Sequence, residues 1–391
     1  MIKFPMHIGR NYVMINLLIA GYHGFGNCGD EAILKAMTTN IRAIADDVDI
    51  TALSHNPEFT KNEYGIKSVQ RFNVFQVLSA IRHSDIILSG GGTLLQNGTS
   101  TRSLLYYLSI IKLAKLLRKR VMLYANGIGP VTGGINQKLV RTVINTVDVI
   151  TLREKLSEAD LRNIGVSNPN VSVTADAAFK LESINDAHAE KLLEKEGFED
   201  RGKARIGVSV RAWAKAKYGE DYISKLAKAC DNIADTGKEI IFIPMQYPKD
   251  IAVSKKVSSM MKNKSYVLTR RYTPAEMMGI VGRVDVMVSM RLHTLIFAAV
   301  RNIPMVGIIY DPKIEYYLKE LDMPEGGDVR SEKLDSDRIT SVTLDIFENM
   351  DKYKSILKSK ADIMTSKADE NDILLAQQLD IIRKEKERKR K

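Results

Sequence analysis

Short apolar runs alternate along the chain with longer segments in which apolar residues recur every three or four positions. Residues 15–20 (INLLIA) form an apolar run, interrupted only by Asn16, that ends at Gly21, which predicts a buried parallel strand. A glycine-rich turn follows, and residues 31–44 carry their apolar side chains on one side of a helix. The fold is therefore predicted to begin with a strand, a glycine loop and a helix.

The same alternation continues along the chain in two series, separated by a polar stretch at 182–205 that is rich in Glu, Lys and Asp. Strands are predicted at 48–53, 85–89, 120–124, 149–152 and 171–173 in the first series, and at 205–210, 239–244, 266–268, 284–289 and 304–309 in the second. Helices are predicted at 72–81, 103–117, 136–146 and 154–164, and then at 222–236, 251–261, 274–281 and 293–300. This alternation is typical of parallel sheets with helices on both faces.

Two doubly wound α/β domains follow from this pattern. We predict a first domain at 14–181 and a second at 200–360, with a C-terminal helix and basic tail at 361–391. Residues 1–13 precede the first strand and are predicted to be either an N-terminal extension or the result of a misassigned start, with Met14 as the alternative to Met1. A chain of 391 residues suits two hydrophobic cores better than one.

The composition indicates a globular protein of the cytoplasm. The hydrophobic fraction is 45% and the charged fraction 27%, both ordinary for such a protein. Cys28 and Cys230 cannot form a disulfide framework, which fits a reducing compartment. No apolar run approaches the roughly 20 residues that span a bilayer, and we predict no signal peptide.

The formal net charge of +11 is concentrated partly in the tail. Residues 383–391 contain seven Lys or Arg and two Glu. Two interpretations stay open for this tail: peripheral contact with an anionic membrane on its cytoplasmic face, or a solvated and frayed helix end. Nucleic acid is not an expected partner, because the sequence shows no basic stripe interleaved with aromatic residues.

The first glycine loop, residues 21–31 (GYHGFGNCGDE), follows the first predicted strand. Gly24, Gly26 and Gly29 fit the dinucleotide-binding spacing G-x-G-x-x-G, which is weak evidence when it stands alone. Asp30 and Glu31 argue against such a site, because they would repel a pyrophosphate at the helix start. Asp30 is then either the helix N-cap or a contact and base for a substrate hydroxyl.

Three further loops of the first domain follow predicted strands, where ligands of open parallel sheets bind. Residues 89–96 (SGGGTLLQ) form either a sugar- or phosphate-facing surface or a plain strand–helix turn. Asn126 opens a second glycine-rich loop, NGIGP. Arg153 follows the strand at 149–152 and is either part of an anion site or the partner of Glu154 in a local ion pair.

The second domain presents the most suggestive loop, residues 289–294 (SMRLHT), at the start of a predicted helix. Arg291 can bind a carboxylate or phosphate through two parallel hydrogen bonds, and His293 can move a proton near neutral pH. The alternative for His293 is a helix cap or a core residue. Lys313, after the last predicted strand, is a further candidate phosphate partner, beside Asp311 as a turn former.

Other chemistries lack their signatures in this sequence. No group of His, Cys and Asp has metal-ligand spacing, so no metal is expected. The sequence has neither a G-x-S-x-G motif nor the lysine of a phosphate-binding P-loop, which disfavours serine hydrolysis and P-loop chemistry.

Taken together and in order, these loops resemble the polysaccharide pyruvyl transferase family, particularly its CsaB-type bacterial members. The matching segments are GYHGFGNCGDEAIL (21–34), SGGGTLLQ (89–96), ANGIGPV (125–131), TLRE (151–154), TADAAF (174–179), MRLHTLIFA (290–298) and GIIYDPK (307–313). The resemblance implies a GT-B-like fold of two Rossmann-like domains facing a cleft. It implies phosphoenolpyruvate as co-substrate, no cofactor, and a pyruvyl ketal on a hexose as product.

For CsaB-type members the implied acceptor is an N-acetylmannosamine of a lipid-linked secondary cell-wall polysaccharide precursor, whose pyruvylated polymer anchors S-layer homology domains. By position, the resemblance assigns a set of residues to the donor and another to the acceptor. The donor set is Arg153, Arg291, Leu292, His293 and Lys313, and the acceptor set is Gly26, Asn27, Asp30, Glu31, Gly91, Gly92 and Asn126. His293 and Asp30 are the candidates for proton transfer.

Two rival functions share the predicted architecture. A GT-B glycosyltransferase that uses a nucleotide sugar would have the same fold, glycine loops and basic residues. A protein that binds a sugar or nucleotide without catalysis is the more distant rival.

Overall fold

The structure, a computed structural model, describes residues 13–98, 100–213, 221–331 and 334–390. These residues divide into two compact units. Unit 1 comprises 13–25, 33–180 and 364–390, and unit 2 comprises Gly26–Ala32 and Leu181–Ile363. The predicted extension at 1–13 lies outside the described residues, apart from Val13. Each unit is built on a parallel sheet with helices, so the predicted α/β class with two parallel-sheet domains is confirmed.

Unit 1 contains an eight-stranded sheet with the order β3-β2-β1-β4-β6-β7-β8, and β5 pairs with β6. Its described strand pairs are all parallel. The strands are β1 (Ile15–His23), β2 (Val48–Ser54), β3 (Lys67–Gln70), β4 (Ile86–Gly90), β5 (Thr93–Leu95), β6 (Arg120–Ile128), β7 (Val149–Leu152) and β8 (Val171–Val173). The order reverses between β1 and β4, and ligands of open α/β sheets bind beyond the strand ends at such a point.

The helices of unit 1 confirm most of the predicted pattern. They are α1 (Cys28–Ile44), α2 (Pro57–Tyr64), α3 (Val74–His83), α4 (Thr101–Leu116), α5 (Gly134–Ile144), α6 (Lys155–Ile164) and the 3-10 helix Ala177–Lys180. Only the part of α1 from Ile33 onward belongs to unit 1. The sequence pattern missed α2 and β3. Helix α2 is short and polar (PEFTKNEY), and the Asn56 and Gly65 caps mark its ends better than any apolar periodicity does.

Unit 2 contains a six-stranded sheet with the order β11-β10-β9-β12-β13-β14, again parallel in its described pairs. The strands are β9 (Arg205–Ser209), β10 (Glu239–Phe242), β11 (Ser265–Val267), β12 (Val286–Ser289), β13 (Met305–Ile309) and β14 (Glu325–Asp328). The helices are α7 (Asp186–Lys195), α8 (Asp221–Ala234), α9 (Lys249–Met260), α10 (Pro274–Val281), α11 (Leu292–Val300), α12 (Pro312–Leu321) and α13 (Ser336–Glu348). The order reverses between β9 and β12, which places a switch point beside the MRLH segment.

The last helix, α14 (Met350–Arg390), is longer than the sequence predicted. Its residues from Met364 onward belong to unit 1, where Asn371 donates to Ala175 O and accepts from the Thr174 hydroxyl (2.8 Å). The Tyr124 hydroxyl donates to Asp372, and burial together with this carboxylate raises the pKa of Tyr124. These buried polar contacts tie the helix to the sheet of unit 1.

The basic tail is partly engaged in ion pairs within unit 1. Arg383 donates to both oxygens of Asp47 (2.8 and 2.7 Å), and Lys386 donates to Asp85 (2.5 Å). The predicted contact of this tail with a membrane stays a prediction. Among the helices of the described residues, none combines the length and apolar character that crossing a membrane requires.

Candidate functional site

Arg291 lies in unit 2 at the carboxyl end of β12, where it is the N-cap residue of α11. The turn is held by Ser289, whose hydroxyl accepts from Arg291 N (2.9 Å) and donates to Arg291 O (3.0 Å). One turn further on, the Thr294 hydroxyl donates to Ser209 Oγ at the end of β9 (3.2 Å). The arginine therefore projects from a rigid turn at the switch point of the sheet.

The Arg291 guanidinium is bound by Asp250 of α9. Its Nε donates to Asp250 Oδ2 (2.9 Å), its Nη2 contacts Oδ1, and Nη2 also donates to Gln246 Oε1 (3.3 Å). Asp250 is 1% exposed and accepts further hydrogen bonds from Met245 N (3.2 Å) and Gln246 N (2.9 Å). A buried carboxylate with this many donors holds the arginine in one orientation.

The Gly26–Ala32 segment also belongs to unit 2 and lies against residues 245–247. Cys28 N donates to Met245 O (2.8 Å), and Tyr247 N donates to Gly26 O (2.9 Å). Asn27 and Gln246 form an antiparallel bridge between these two stretches. The same short loop after β10 therefore contacts both the glycine segment and Arg291.

Gly29 packs directly against the imidazole of His293. A Cβ on Gly29 would overlap the ring, so only glycine allows the first turn of α1 to lie here. The structure thus brings the predicted acceptor residues Gly26, Asn27, Asp30 and Glu31 into the same unit as Arg291, Leu292 and His293. Their assignment to a donor and an acceptor stays a prediction.

Asn27, and not Asp30, caps helix α1. The Asn27 side chain accepts from Gly29 N (3.1 Å), and Asn27 O accepts from Glu31 N (3.0 Å). Asp30 lies within the first turn of the helix and is buried. The N-cap alternative for Asp30 is therefore wrong, because the helix begins earlier than its apolar periodicity indicates.

Cys28 lies in the middle of this segment and is buried as a free thiol. Burial, reinforced by the nearby Glu31 carboxylate, raises its pKa well above the usual range. Burial and a raised pKa both disfavour a role as a thiolate nucleophile. The described residues also contain no group of three or more His, Cys, Asp or Glu that could hold a metal ion.

Lys313 follows the neighbouring strand β13 and lies in the first turn of α12, with only 8% of its surface exposed. Asp311 is the N-cap of this helix and accepts from Lys313 N (3.0 Å). Arg211, which sequence analysis missed, follows β9 at the same edge of the sheet. Its guanidinium lies over the rings of Tyr310 (4.4 Å) and Trp213 (5.8 Å). A basic residue two positions after a strand was the signal that could have revealed it.

Arg153 belongs to unit 1 and is held by two carboxylates. Its Nε donates to Glu154 Oε2 (2.9 Å), its Nη1 to Asp176 Oδ2 (2.6 Å), and its Nη2 to Thr93 Oγ1 (3.3 Å). The arginine is 3% exposed, and both carboxylates are fully buried. The local ion pair considered for Arg153 is present, extended by Asp176. A contact with the donor stays a prediction.

The remaining predicted acceptor residues also lie in unit 1. Gly91 and Gly92 have φ of +84° and +74°, and a Cβ on Gly91 would crowd Ile33 of α1, so helix packing accounts for part of this glycine run. Asn126 is fully buried, and its side-chain oxygen and nitrogen have no hydrogen-bond partner among the described residues. The preceding Ala125 has φ +49°, in the left-handed region that non-glycine residues rarely adopt.

An aromatic cluster beside the first glycine loop was not foreseen from the sequence. In unit 1 the buried Arg71 donates to Gly21 O (2.8 Å) and to the Tyr107 hydroxyl (3.2 Å). Five rings surround its guanidinium at 4.7 to 5.9 Å: Tyr22, Phe25, Phe72, Tyr106 and Tyr107. These contacts compensate the buried charge and stiffen the loop that follows β1.

Solved structures of similar fold define the class of this protein. The Anabaena protein Alr3699/HepE in complex with UDP-glucose matches with a TM-score of 0.63 and 11% identity, covering 93% of this chain and 99% of that chain. The UDP-GlcNAc 2-epimerase from Neisseria meningitidis, bound to UDP-GlcNAc, matches with a TM-score of 0.62 and 12% identity, covering 94% and 100%. At these identities the likeness shows the fold alone, which is GT-B-like.

The sequence places the chain more narrowly within that class. Residues 27–312 match the polysaccharide pyruvyl transferase family, and the chain belongs to it. The amylovoran biosynthesis protein AmsJ of Erwinia amylovora is 21% identical over 373 residues, covering 81% of this chain and 89% of that protein. The protein is therefore an enzyme, a transferase of pyruvyl groups onto polysaccharide.

Proposed function

We propose that unit 2 binds phosphoenolpyruvate as the pyruvyl donor, at Arg291, His293 and Lys313. One observation carries this proposal: the three residues follow the neighbouring strands β12 and β13, in or directly before the first turns of α11 and α12. The partial positive charge at a helix N-terminus attracts anions, and arginine and lysine each add a full positive charge there. Phosphoenolpyruvate carries a carboxylate and a phosphate, which suits such an edge.

Asp250 holds Arg291 in place. Its carboxylate accepts from two backbone N–H groups as well as from the guanidinium, so it stays compensated if the arginine shifts toward an anion. Arg291 also remains 13% exposed in its side chain. A preorganised arginine of this kind loses little entropy when it binds the donor.

The proposed reaction forms a cyclic ketal and releases phosphate. One sugar hydroxyl gives up its proton and bonds through its oxygen to the central carbon of the donor, while one proton adds to the methylene carbon, which becomes a methyl group. A second hydroxyl oxygen bonds to the same carbon, the bond to the phosphate oxygen breaks, and phosphate leaves with the second hydroxyl proton. His293 is the candidate for protonating the leaving phosphate, and Asp30 is the candidate base for a sugar hydroxyl.

Two geometric features support these roles. His293 lies in the first turn of α11 against Gly29, and Asp30 is the next residue along α1. Asp30 is buried, so a proton taken up there is shielded from bulk water. Both groups belong to unit 2, together with the arginine that would bind the donor.

The acceptor and the biological setting are proposed from the resemblance to CsaB-type members. The acceptor is an N-acetylmannosamine of a lipid-linked secondary cell-wall polysaccharide precursor, modified on the cytoplasmic side of the membrane. The pyruvylated polymer would then anchor S-layer homology domains.

The test measures donor binding and product formation with the same protein. Thermal unfolding is followed with phosphoenolpyruvate, UDP or neither, and an N-acetylmannosamine lipid analogue is then incubated with phosphoenolpyruvate. We expect stabilisation by phosphoenolpyruvate, release of phosphate, and a pyruvyl ketal detected by mass spectrometry. Stabilisation by UDP alone, with no ketal, would instead support a glycosyltransferase that uses a nucleotide sugar, as the UDP-glucose complex of Alr3699/HepE suggests.

Variants locate the activity on the proposed residues. Arg291→Ala should raise the donor KM strongly and also lower kcat, because charge redistributes toward the phosphate in the transition state. Arg338→Ala is the matched control, since this arginine of α13 is half-exposed and pairs with Glu325 at the surface. Near-normal turnover and donor affinity in Arg291→Ala would refute the assignment of the donor site.

A further inference from the structure

A groove between α4 and α5 of unit 1 belongs to none of the sites described above. It has a volume of about 540 Å³ and is lined by residues of these helices and of the turn after α5: Lys112, Lys115, Leu116, Ile135, Lys138, Leu139, Thr142, Val143 and Thr146. Leu116 is 69% exposed and Ile135 is 79% exposed. Large aliphatic side chains clustered in the open around a concave surface indicate a contact with another apolar body.

The rim of this groove is basic. Lys112 lies four residues before Leu116 on α4, and Lys138 lies three residues after Ile135 on α5, so each lysine shares a helix face with an exposed aliphatic residue. Lys115 is paired with Asp148 (2.7 Å). Within the described part of the chain, neither Lys112 nor Lys138 has an ion-pair partner.

The charge imbalance extends over the whole surrounding sequence. Between Asp85 and Asp148 the chain has no Asp or Glu and eight Lys or Arg, at positions 102, 112, 115, 118, 119, 120, 138 and 141. Both helices of the groove lie inside this stretch. Asp148 and Glu385, from outside this stretch, pair with Lys115 and Arg120. The remaining excess of positive charge attracts an anionic partner over a distance of about one Debye length.

We propose that this groove docks unit 1 onto a bilayer that contains anionic phospholipids. Leu116 and Ile135 enter the boundary between headgroups and acyl chains, and the groove accepts part of an acyl chain. Lys112 and Lys138 extend their alkyl stems along the apolar floor and place their ammonium groups at lipid phosphates, as lysines do at membrane interfaces. The apolar floor and the basic rim together match the two layers of a bilayer surface.

A protein partner fits this surface less well. Lysine is depleted at protein interfaces relative to the rest of a protein surface, whereas basic residues around exposed aliphatic side chains are typical of membrane-surface helices. Two of the seven basic residues of the tail are less available than the groove lysines. Arg383 and Lys386 of the tail are held in ion pairs with Asp47 and Asp85.

The experiment is flotation of the full chain with vesicles. Vesicles of phosphatidylcholine alone are compared with vesicles in which a third of the lipid is phosphatidylglycerol, at low and high salt. We expect binding to the anionic vesicles only, and weaker binding at high salt. Lys112→Gln/Lys138→Gln should lower the partition coefficient about fivefold for each lysine. Leu116→Glu/Ile135→Glu should lower it about tenfold or more, because charge enters the apolar layer.

Matched controls separate the groove from general surface effects. Met260→Glu/Ile363→Glu introduces the same charges at two exposed aliphatic residues of unit 2 and should bind like the wild type. Lys384→Gln/Lys389→Gln removes two cations from the tail and should also bind like the wild type. All substituted residues are exposed, and circular dichroism with a melting curve confirms that each variant folds.

Leu116→Trp adds a direct measure of contact with the lipid. Its fluorescence should be quenched by vesicles with brominated acyl chains, more than that of the native Trp213. The proposal is overturned if the wild type does not bind anionic vesicles, or if the Lys112/Lys138 and Leu116/Ile135 variants bind like the wild type. It is also overturned if only the Lys384/Lys389 variant loses binding. A dimer in solution that the Leu116→Glu/Ile135→Glu variant abolishes would also overturn it, in favour of a second copy of the chain. None of these outcomes bears on the donor site, which the groove proposal does not use.

Discussion

Arg153 in unit 1 and Arg291 in unit 2 hold equivalent places in the chain but have different surroundings. Each lies between the end of a buried parallel strand and the start of a helix. Arg153 is bound by Glu154 and Asp176, both fully buried, and is itself 3% exposed. Among the described residues, Asp250 is the one carboxylate paired with Arg291, whose guanidinium also donates to Gln246 Oε1.

From this difference we expect that Arg153 mainly maintains the structure and that Arg291 is the more available of the two to a ligand. Two carboxylates already surround Arg153, so the cluster carries a surplus of negative charge when both are ionised. A further anion gains little there. Arg291 is paired with one carboxylate, that of Asp250, which accepts two hydrogen bonds from backbone N–H groups and two from the guanidinium. The Arg291–Asp250 pair therefore has a net charge close to zero. The following predictions test this contrast, beginning with the largest expected effect.

Arg153→Met should destabilise unit 1 more than any other change considered. It leaves two buried carboxylates without their cation, which costs about 3–5 kcal/mol of unfolding free energy. Urea denaturation measures the loss. The triple variant Arg153→Met/Glu154→Gln/Asp176→Asn should recover most of the stability, because no buried charge remains. A single variant as stable as the wild type would show that the cluster is not structural.

Arg291→Lys should act on activity instead of stability. The lysine keeps the charge but cannot donate two parallel hydrogen bonds as the guanidinium does, so kcat/KM for phosphoenolpyruvate should fall about 100-fold. The melting temperature should change little. The assay is phosphate release with the N-acetylmannosamine lipid analogue. Arg338→Lys is the control and should leave both quantities unchanged. A large loss of stability without loss of activity would place Arg291 in the same class as Arg153.

Gly29→Ala tests whether the glycine segment and the MRLH segment form one assembly. A Cβ at this position overlaps the His293 ring and should cost about 1–3 kcal/mol of unfolding free energy. In a His293→Ala background the same change should cost much less, with a coupling energy of about 1–2 kcal/mol in a double-mutant cycle. Equal costs in both backgrounds would mean that the strain arises elsewhere.

Arg383→Gln extends the comparison to a more exposed ion pair. Arg383 lowers the pKa of Asp47, so the folded carboxyl has a lower pKa than the unfolded one. The pair therefore stabilises the fold at neutral pH, and this contribution is lost as the pH falls through the folded pKa.

The expected loss in Arg383→Gln is about 1 kcal/mol at pH 7, and it should be smaller at pH 3, which lies below the ordinary Asp pKa of about 3.9. Urea denaturation at both pH values measures this difference. Lys384→Gln, at the next position of α14, is the control and should show no such dependence. An Arg383→Gln effect of equal size at both pH values would contradict the role of the ion pair.

Periodicity and glycine spacing were enough to predict most of the fold. The apolar runs of β1, β4, β6, β9 and β12 are buried strands because a parallel sheet covered on both faces excludes polar residues. Short polar elements such as α2 and β3 carry no such pattern and were missed. The start of α1 was placed three residues late, since its first turn is set by the Asn27 cap.

The candidate site was predicted as a set of residue types, without its pairings. Strand ends marked Arg153, Arg291, His293 and Lys313, because parallel strands bring their following loops to one edge of a sheet. Asp250 and Gln246 left no such signal, since an acidic residue in a helix ordinarily faces solvent. Only packing shows that Asp250 is buried against Arg291.

The sequence by itself determined the class of the protein: two α/β domains with parallel sheets, and the ordered motifs of a pyruvyl transferase. Such motifs depend on local backbone conformation and on the order of the segments along the chain, and both can be read from the sequence. The tertiary structure decided which charges neutralise one another, that Gly26–Ala32 belongs with unit 2, and that lysines 112 and 138 border an apolar groove. These features depend on contacts between residues that are distant in the chain, and no local pattern encodes them.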